Sequence, residues 1–288
     1  MRGIVFTLVF TALFLLLLSL TILYLTSVDR QQASLTSAAQ LERTFHTADT
    51  LATLYRTFLE IQQLSFTKNT NESIITLALN LPANLTNATA ELNTLETFLE
   101  GTYANLTSST LDVNHTRFTA PFLYIDGPGL NYSFSNSQRD TLLVYGNPNV
   151  TRYRIAGLLT DRCKKAKCAV GGSSWNWVAC GASSVYVELN ILDTTSTSVK
   201  VKGQTSGCVL TSTTNAFTAE GRKGGKLTVT LGTIGSLSPA LQIQLTAPLG
   251  YLANLTLNLS TTPTFRAWLP IQVTVNNNTL PNLVLVEK

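Results

Sequence analysis

Between Gly3 and Val28 the chain carries no charged residue, and Ile4 to Thr26 is almost entirely Leu, Phe, Ile, Val, Ala and Thr. No other feature limits the fold so tightly. A bilayer core about 30 Å thick takes about 20 apolar residues at 1.5 Å each, so this run suffices with a little tilt. From Ile4 onward it holds no Gly or Pro, and its backbone can satisfy itself as a helix in hydrocarbon. A cleaved secretory signal is the competing reading. Such signals carry an apolar stretch of about 7–15 residues and end in a small-x-small site. Here the run is longer and ends in Tyr24-Leu25-Thr26-Ser27, so residues 1–28 read as a retained transmembrane anchor. Arg2 before the helix places the N-terminus inside and the remainder outside.

Charge is thin elsewhere too. Only 12% of residues are Asp, Glu, Lys or Arg, about half the usual share, and Ser, Thr and Asn supply the polar surface. A formal net charge of +4 is too small and scattered to imply nucleic acid. The densest basic stretches are Arg162, Lys164, Lys165 and Lys167, and then Arg222, Lys223 and Lys226. Each reads as a solvated loop before an anion or polymer site. Acceptor patterns N-x-[ST] occur at Asn71, Asn84, Asn87, Asn105, Asn114, Asn131, Asn149, Asn254, Asn258 and Asn277. All lie beyond the anchor, which points to an exported surface carrying N-linked glycans.

Nothing between Gly3 and Pro82 forces the membrane helix to stop. Leu41, Phe45, Ala48, Leu51, Leu54, Phe58, Ile61 and Leu64 recur at spacings of three and four, so they form one stripe of a continuing amphipathic helix. Unbroken, residues 4–66 would make a rod of about 95 Å. A stripe of this kind needs cover, from a second helix, from the chain's own outer domain or from other copies. Residues 88–102 carry Ala90, Leu92, Leu95, Phe98 and Leu99 at helical spacing and offer a hairpin partner through Pro82. Residues 29–117 are therefore expected to be a helical stalk with a helical hairpin.

From about residue 118 the period changes to two. Runs at 142–145, 151–159, 184–192, 198–202, 226–231, 241–245, 254–259, 271–275 and 282–286 are rich in Val, Ile, Thr and Tyr, with Gly, Asn, Pro and Ser between them. The expected fold class is α+β: a long transmembrane-plus-stalk helix followed, over 118–288, by an all-β sandwich of Ig-like or jelly-roll-like kind. Cys163, Cys168, Cys180 and Cys208 all fall in this region. An exported chain favours two disulfides, with three connectivities open. A zinc site is the alternative, but the spacing matches no common pattern and no His lies among the four. Trp175 and Trp177 sit inside the cysteine-bounded segment. They read as core beside a disulfide, or as an aromatic contact for carbohydrate or a protein partner.

Catalytic signatures are missing. His46 and His115 stand apart from any acid or Cys cluster at ligand spacing, and neither a G-x-S-x-G elbow nor H-E-x-x-H occurs. Gly221-Arg-Lys-Gly-Gly-Lys226 looks faintly phosphate-like but lacks the following Ser or Thr, so a hairpin turn is expected there. Asp126, Asp140, Asp161, Glu188 and Asp193 are scattered singly. The chain reads as a non-enzyme with no cofactor and no metal, although a cleft gathering Asp126, Asp161 or Glu188 would favour a surface hydrolase.

Met1-Arg2-Gly3 stands directly before Ile4-Val5-Phe6-Thr7-Leu8, an amphipathic helical pattern follows the apolar one, and a β-rich, sequon-bearing region ends the chain. That order of parts resembles archaeal type IV pilins and archaellin-like proteins. The resemblance implies processing at Gly3 and a filament core built from apolar helices. Ile4, Phe6, Leu8, Phe14, Leu41, Phe45, Leu51 and Phe58 would then make the membrane and assembly contacts, with glycosylated heads outward. The leader would be only three residues, and Leu8 occupies a place where many bacterial pilins carry Glu. The expected function is thus a structural subunit of a cell-surface filament, associating with itself and with membrane lipid. The alternative is a single-pass, membrane-anchored extracellular adhesin whose outer stripe is covered by residues 88–102.

Overall fold

The computed structural model describes residues 2–287 except 60, 82–87, 108, 117–122, 127–128, 136–139, 147–149, 165–173 and 261–263. For residues 2–17 the backbone alone is described, so the expectations for Ile4, Phe6, Leu8 and Phe14 fall outside the described side chains. The chain divides into two units, 1–47 and 48–288. Helix α1 spans Arg2–Phe58. Threonines within it return their hydroxyls to the preceding turn, Thr26 to the Leu23 carbonyl at 3.0 Å and Thr36 to the Gln32 carbonyl at 2.8 Å. A Thr whose hydroxyl is spent this way shows mainly its methyl. In the first unit Leu20, Ile22, Leu23, Leu25, Leu35, Leu41 and Phe45 are all exposed. Among the described residues, no helix is long and apolar enough to cross a membrane.

The second unit is mostly β-sheet. Its strands are β1 (Ile61–Lys68), β2 (Glu72–Leu81), β3 (Leu111–Asn114), β4 (Leu123–Asp126), β5 (Leu130–Ser135), β6 (Thr141–Tyr145), β7 (Val150–Leu159), β8 (Ser184–Leu192) and β9 (Ser206–Leu210). They continue as β10 (Asn215–Glu220), β11 (Lys226–Ile234), β12 (Leu237–Thr246), β13 (Tyr251–Ser260), β14 (Arg266–Leu269), β15 (Gln272–Val275), β16 (Asn278–Leu280) and β17 (Leu283–Glu287). One sheet has the order β1-β2-β13-β7-β8-β9, a second β10-β11-β12-β6-β5-β4-β14-β17, and a small third β16-β15-β3. Alternation decides which side faces in. Ile75, Leu77, Leu79, Leu255, Leu257, Ile155 and Val187 of the first sheet share one buried cluster with Leu142, Val144, Leu227, Val229, Leu241 and Ile243 of the second. This is the sandwich expected from period-two patterning.

Two departures have clear causes. The stalk helix does not run to residue 66. It ends at Phe58, and Ile61 and Leu64 belong to β1. A bulge between Ile61 and Gln63 inserts one residue, so Ile61 pairs with Leu79 while Leu64 pairs with Leu77. The bulge sets two inward residues three apart, which in sequence copies helical spacing. The region 61–81 is therefore a β-hairpin, turning through Asn69–Glu72, and not the helical connection expected before Pro82. Secondly, β7 and β8 are parallel, unlike the antiparallel sandwiches expected. A parallel pair needs a long crossover, and residues 160–183 span it, with no helix among those of them that are described. Cys180 of the crossover is disulfide-bonded to Cys208 of β9, and Val178 bridges Cys208 by backbone.

The end of α1 belongs to this core. Leu51, Tyr55 and Leu59 are buried in the same cluster as Leu92, Leu99 and Ala104 of the helical segment α2 (Ala88–Thr97), its π-type continuation Phe98–Tyr103, and α3 (Ala104–Leu106). Burial, and then the charges of Glu96 and Glu100, push the Tyr55 hydroxyl pKa up. The stripe is thus split: its later half is consumed inside the second unit, while Leu41 and Phe45 stay in water. Leu51 and Phe58, expected on the assembly face, are corrected to core and core margin. Leu51→Ala should cost about 2–5 kcal/mol in denaturant unfolding, whereas Leu35→Ala, on the exposed helix, should change stability by less than about 0.5 kcal/mol.

Candidate functional site

The outer face of the six-stranded sheet holds an open groove of about 600 Å³. Its geometry follows from register. On β13, Leu252, Asn254 and Thr256 point outward while Ala253, Leu255 and Leu257 point into the core. Asn254 pairs with Ala78 of β2 on one side and with Ala156 of β7 on the other. Ala156 in turn pairs with Asn190 of β8, and Ala78 with Gln63 of β1. One row across five strands therefore reads carboxamide, methyl, carboxamide, methyl, carboxamide. The two alanines sink the floor. Gly157 completes it, because a Cβ there would collide with the Leu252 carbonyl oxygen and the Tyr251 ring. The neighbouring row brings Leu252 opposite Leu158 and Leu158 opposite Leu192. Leu252 and Leu158 remain 38% and 44% exposed, a raised apolar wall beside the row of amides.

Further along the same face the surface is closed. Arg154 donates to Glu188 at 3.0 Å, and the Arg152 guanidinium lies over the Tyr186 ring at 4.8 Å. The Asn258 Nδ2 donates to Glu72 at 2.8 Å, and Asn258 is buried.

No known protein family matches the chain, nor does any curated protein or solved structure compared with it.

Among acceptor asparagines, Asn71, Asn105, Asn114, Asn254 and Asn277 are exposed, and Asn131 is half-buried between Tyr124 and Tyr145. Asn114 accepts from both the N–H and the hydroxyl of Thr116, which leaves its amide nitrogen outward. Asn277 shares a tight turn with Asn276, both at positive φ, where Asn is favoured. Asn258 is a correction: its nitrogen is buried and committed to Glu72, so a glycan cannot attach without breaking that bond. Asn84, Asn87 and Asn149 lie outside the described residues. Of the cysteines, Cys180 pairs with Cys208, Cys163 is also disulfide-bonded, and Cys168 lies outside the described residues.

Trp175 belongs to the core, and Trp177 packs partly buried against it. Trp175 is fully buried, meeting Trp177 and Phe217 edge to face at 5.5 and 5.4 Å. Trp177 donates its indole N–H to the Val201 carbonyl at 3.0 Å. The expectation that Trp175 contacts a ligand is corrected, since it offers no surface. Tyr124 and Trp268 were not expected; they stack at 4.3 Å on the outside of the second sheet. Because the stacking spends one face of each ring on the other, the pair offers no broad aromatic platform.

Register also brings the two basic stretches together. The Arg222 N–H donates to the Arg162 carbonyl at 2.7 Å and the Lys164 N–H to the Glu220 carbonyl at 2.9 Å. Gly221–Lys226 is a hairpin turn between β10 and β11, as expected. Its amides at 221–224 and 226 are taken up by other groups of the chain. The Lys223 N–H chiefly, with the Arg162 N–H, holds the Asp161 carboxyl below its ordinary pKa despite partial burial, so the turn has no free cradle for a phosphate. The other acids are engaged separately. Asp126 takes the Trp268 indole N–H at 2.6 Å and Glu188 takes Arg154. Among the described residues, no three His, Cys, Asp or Glu side chains gather as metal ligands would.

Asp193, only 3% exposed, ties the crossover to the loop after β8. Burial opposes its ionisation, but donors from the Cys163 N–H, the Thr195 hydroxyl, and the Thr197 and Thr195 N–H groups outweigh burial and bring its pKa down to about 2. A carboxylate depressed from 3.8 stabilises the fold above that value and loses the contribution as pH falls through the folded pKa. Asp193→Asn should therefore cost about 2 kcal/mol at neutral pH. The difference between wild type and variant should shrink between about pH 4 and pH 2 in acid-unfolding curves.

Proposed function

We propose that this chain is a non-enzymatic structural subunit of a cell-surface filament or pilin-like complex. In this reading residues 3–28 lie in the membrane before or during assembly, the apolar face of α1 packs against other copies, and the glycosylated β unit is displayed outward. The observation that supports it is the exposure of Leu41 and Phe45, 49% and 65%. Leu41 lies 13 residues past Val28, about 20 Å further along a helix. Headgroups add only about 5–8 Å beyond the hydrocarbon. Lipid around residues 3–28 thus leaves these two side chains in water. Ala38, Leu41 and Phe45 fall on one side of the helix, and a second copy of the same surface would cover them. The three disulfide-bonded positions described, the sequons and the uncharged Thr- and Asn-rich surface fit an exported location.

The rival reading, a single-pass anchored adhesin, draws on the open groove. That reading needs no second copy of the chain against Leu41 and Phe45, so charge at those positions separates the two. The Leu41→Glu, Phe45→Glu double variant should lower assembly by at least about a hundredfold, since each buried side chain of that size is worth about 1.5–3 kcal/mol. Sedimentation and electron microscopy of surface material read the loss, and thermal unfolding of the β unit should not move. Undiminished assembly by the variant would count against the filament reading and in favour of the adhesin.

A further inference from the structure

Asn254 is not beside the groove but in the middle of it, two strands from Gln63 and two from Asn190. We propose that the groove seats the chain's own N-linked glycan at Asn254, its innermost sugars lying over Ala78 and Ala156 between the carboxamides of Gln63 and Asn190. The proposal rests on the reading of the β unit as glycosylated.

Two acceptor patterns on β13 provide the comparison. An extended strand repeats every two residues, so Asn254 and Thr256 both face outward with Leu255 buried between them. Asn258 and Ser260 repeat that layout four residues on. What differs is the flanking residue in register. Asn258 has Ile74 and Arg152 beside it and has its nitrogen tied to Glu72. Asn254 has a methyl group on either side and is exposed. A sugar on Asn254 can therefore lie down in a trough instead of standing off the sheet.

The lining suits such an occupant. With strands about 4.8 Å apart, Gln63 and Asn190 each stand about 10 Å from Asn254. Their carboxamides both donate and accept, which matches sugar hydroxyls and acetamido groups. Leu158 and Leu252 give the C–H faces of a sugar ring an apolar surface to cover. A free ligand would compete for this space with whatever Asn254 carries. That makes the attached glycan, present at high effective concentration, the favoured occupant.

The test uses the full chain expressed in an N-glycosylating eukaryotic host and purified in detergent, carrying glycans with N-acetylglucosamine cores. Glycopeptide mass spectrometry gives occupancy at each asparagine, and peptide-N-glycosidase applied to the folded protein gives release rates. Expected are occupancy at Asn254, none at Asn258, and release from Asn254 at least about tenfold slower than from Asn105 or Asn277, equivalent to about 1.4 kcal/mol of protection. Asn190→Ala and the floor-filling Ala156→Leu should each raise the Asn254 rate toward that of Asn277. Should Ala156→Leu not fold, Asn190→Ala alone decides. An unoccupied Asn254 beside occupied Asn105, Asn114 and Asn277 overturns this inference and leaves the glycosylated surface standing. Empty sites throughout overturn both. Release from Asn254 as fast as from Asn277, or slow release that both variants leave unchanged, overturns the groove's role alone.

Discussion

Apolar side chains have to leave water, and the two units of this chain meet that demand by different routes. In residues 48–288 the demand is met internally. Period-two alternation on β2, β13, β7 and β8 aims one set of side chains at those of β11, β12 and β6, and one cluster takes them all in. The final turns of α1 share the arrangement through Leu51, Tyr55 and Leu59. In residues 1–47 the same class of side chain, from Leu18 to Phe45, stays exposed. At roughly 25 cal/mol per Å² of apolar surface, a helix left in this state is strongly driven to find cover. In the proposed filament, other copies of the same helix supply that cover.

Much of the β unit was legible because alternation is a local signal. The runs at 142–145, 151–159, 184–192 and 226–231 correspond to β6, β7, β8 and β11. What could not be read was non-local or irregular. The bulge in β1 made Ile61 and Leu64 mimic a helix. Short strands such as β4, β14 and β16 exist because neighbours pair with them, and three or four residues carry too little pattern. The expected strand at 198–202 is held instead by isolated bridges, and Lys202 at positive φ turns the chain there. The groove itself was invisible. Gln63, Ala78, Ala156, Asn190 and Asn254 become neighbours only through a strand order that runs β1-β2-β13-β7-β8.

Many of the polar side chains are saturated. With few charges available, polar side chains are satisfied by partners brought close in the fold: Asp193 and Asp161 accept from backbone N–H groups, and Asn258 donates to Glu72. Groups bound so fully hold structure and are not available for chemistry. The exposed carboxamides in the groove are the contrast, since the sheet packs small residues around them and leaves their hydrogen-bonding capacity outward. An amide row beside a leucine wall suits recognition of a neutral, hydroxyl-rich partner better than of a charged one.

In the proposed filament, Ala38, Leu41 and Phe45 of α1 face the same surface on another copy. Single cysteines at 38, 41 or 45, with a control at 43 on the opposite side of the helix, can be tested by thiol cross-linking on intact cells that display the protein. Among the described residues no cysteine is free to interfere. Covalent dimers are expected from positions 38, 41 and 45, and few from 43. Monomers at all four positions, with position 45 still open to a small thiol reagent, would contradict it.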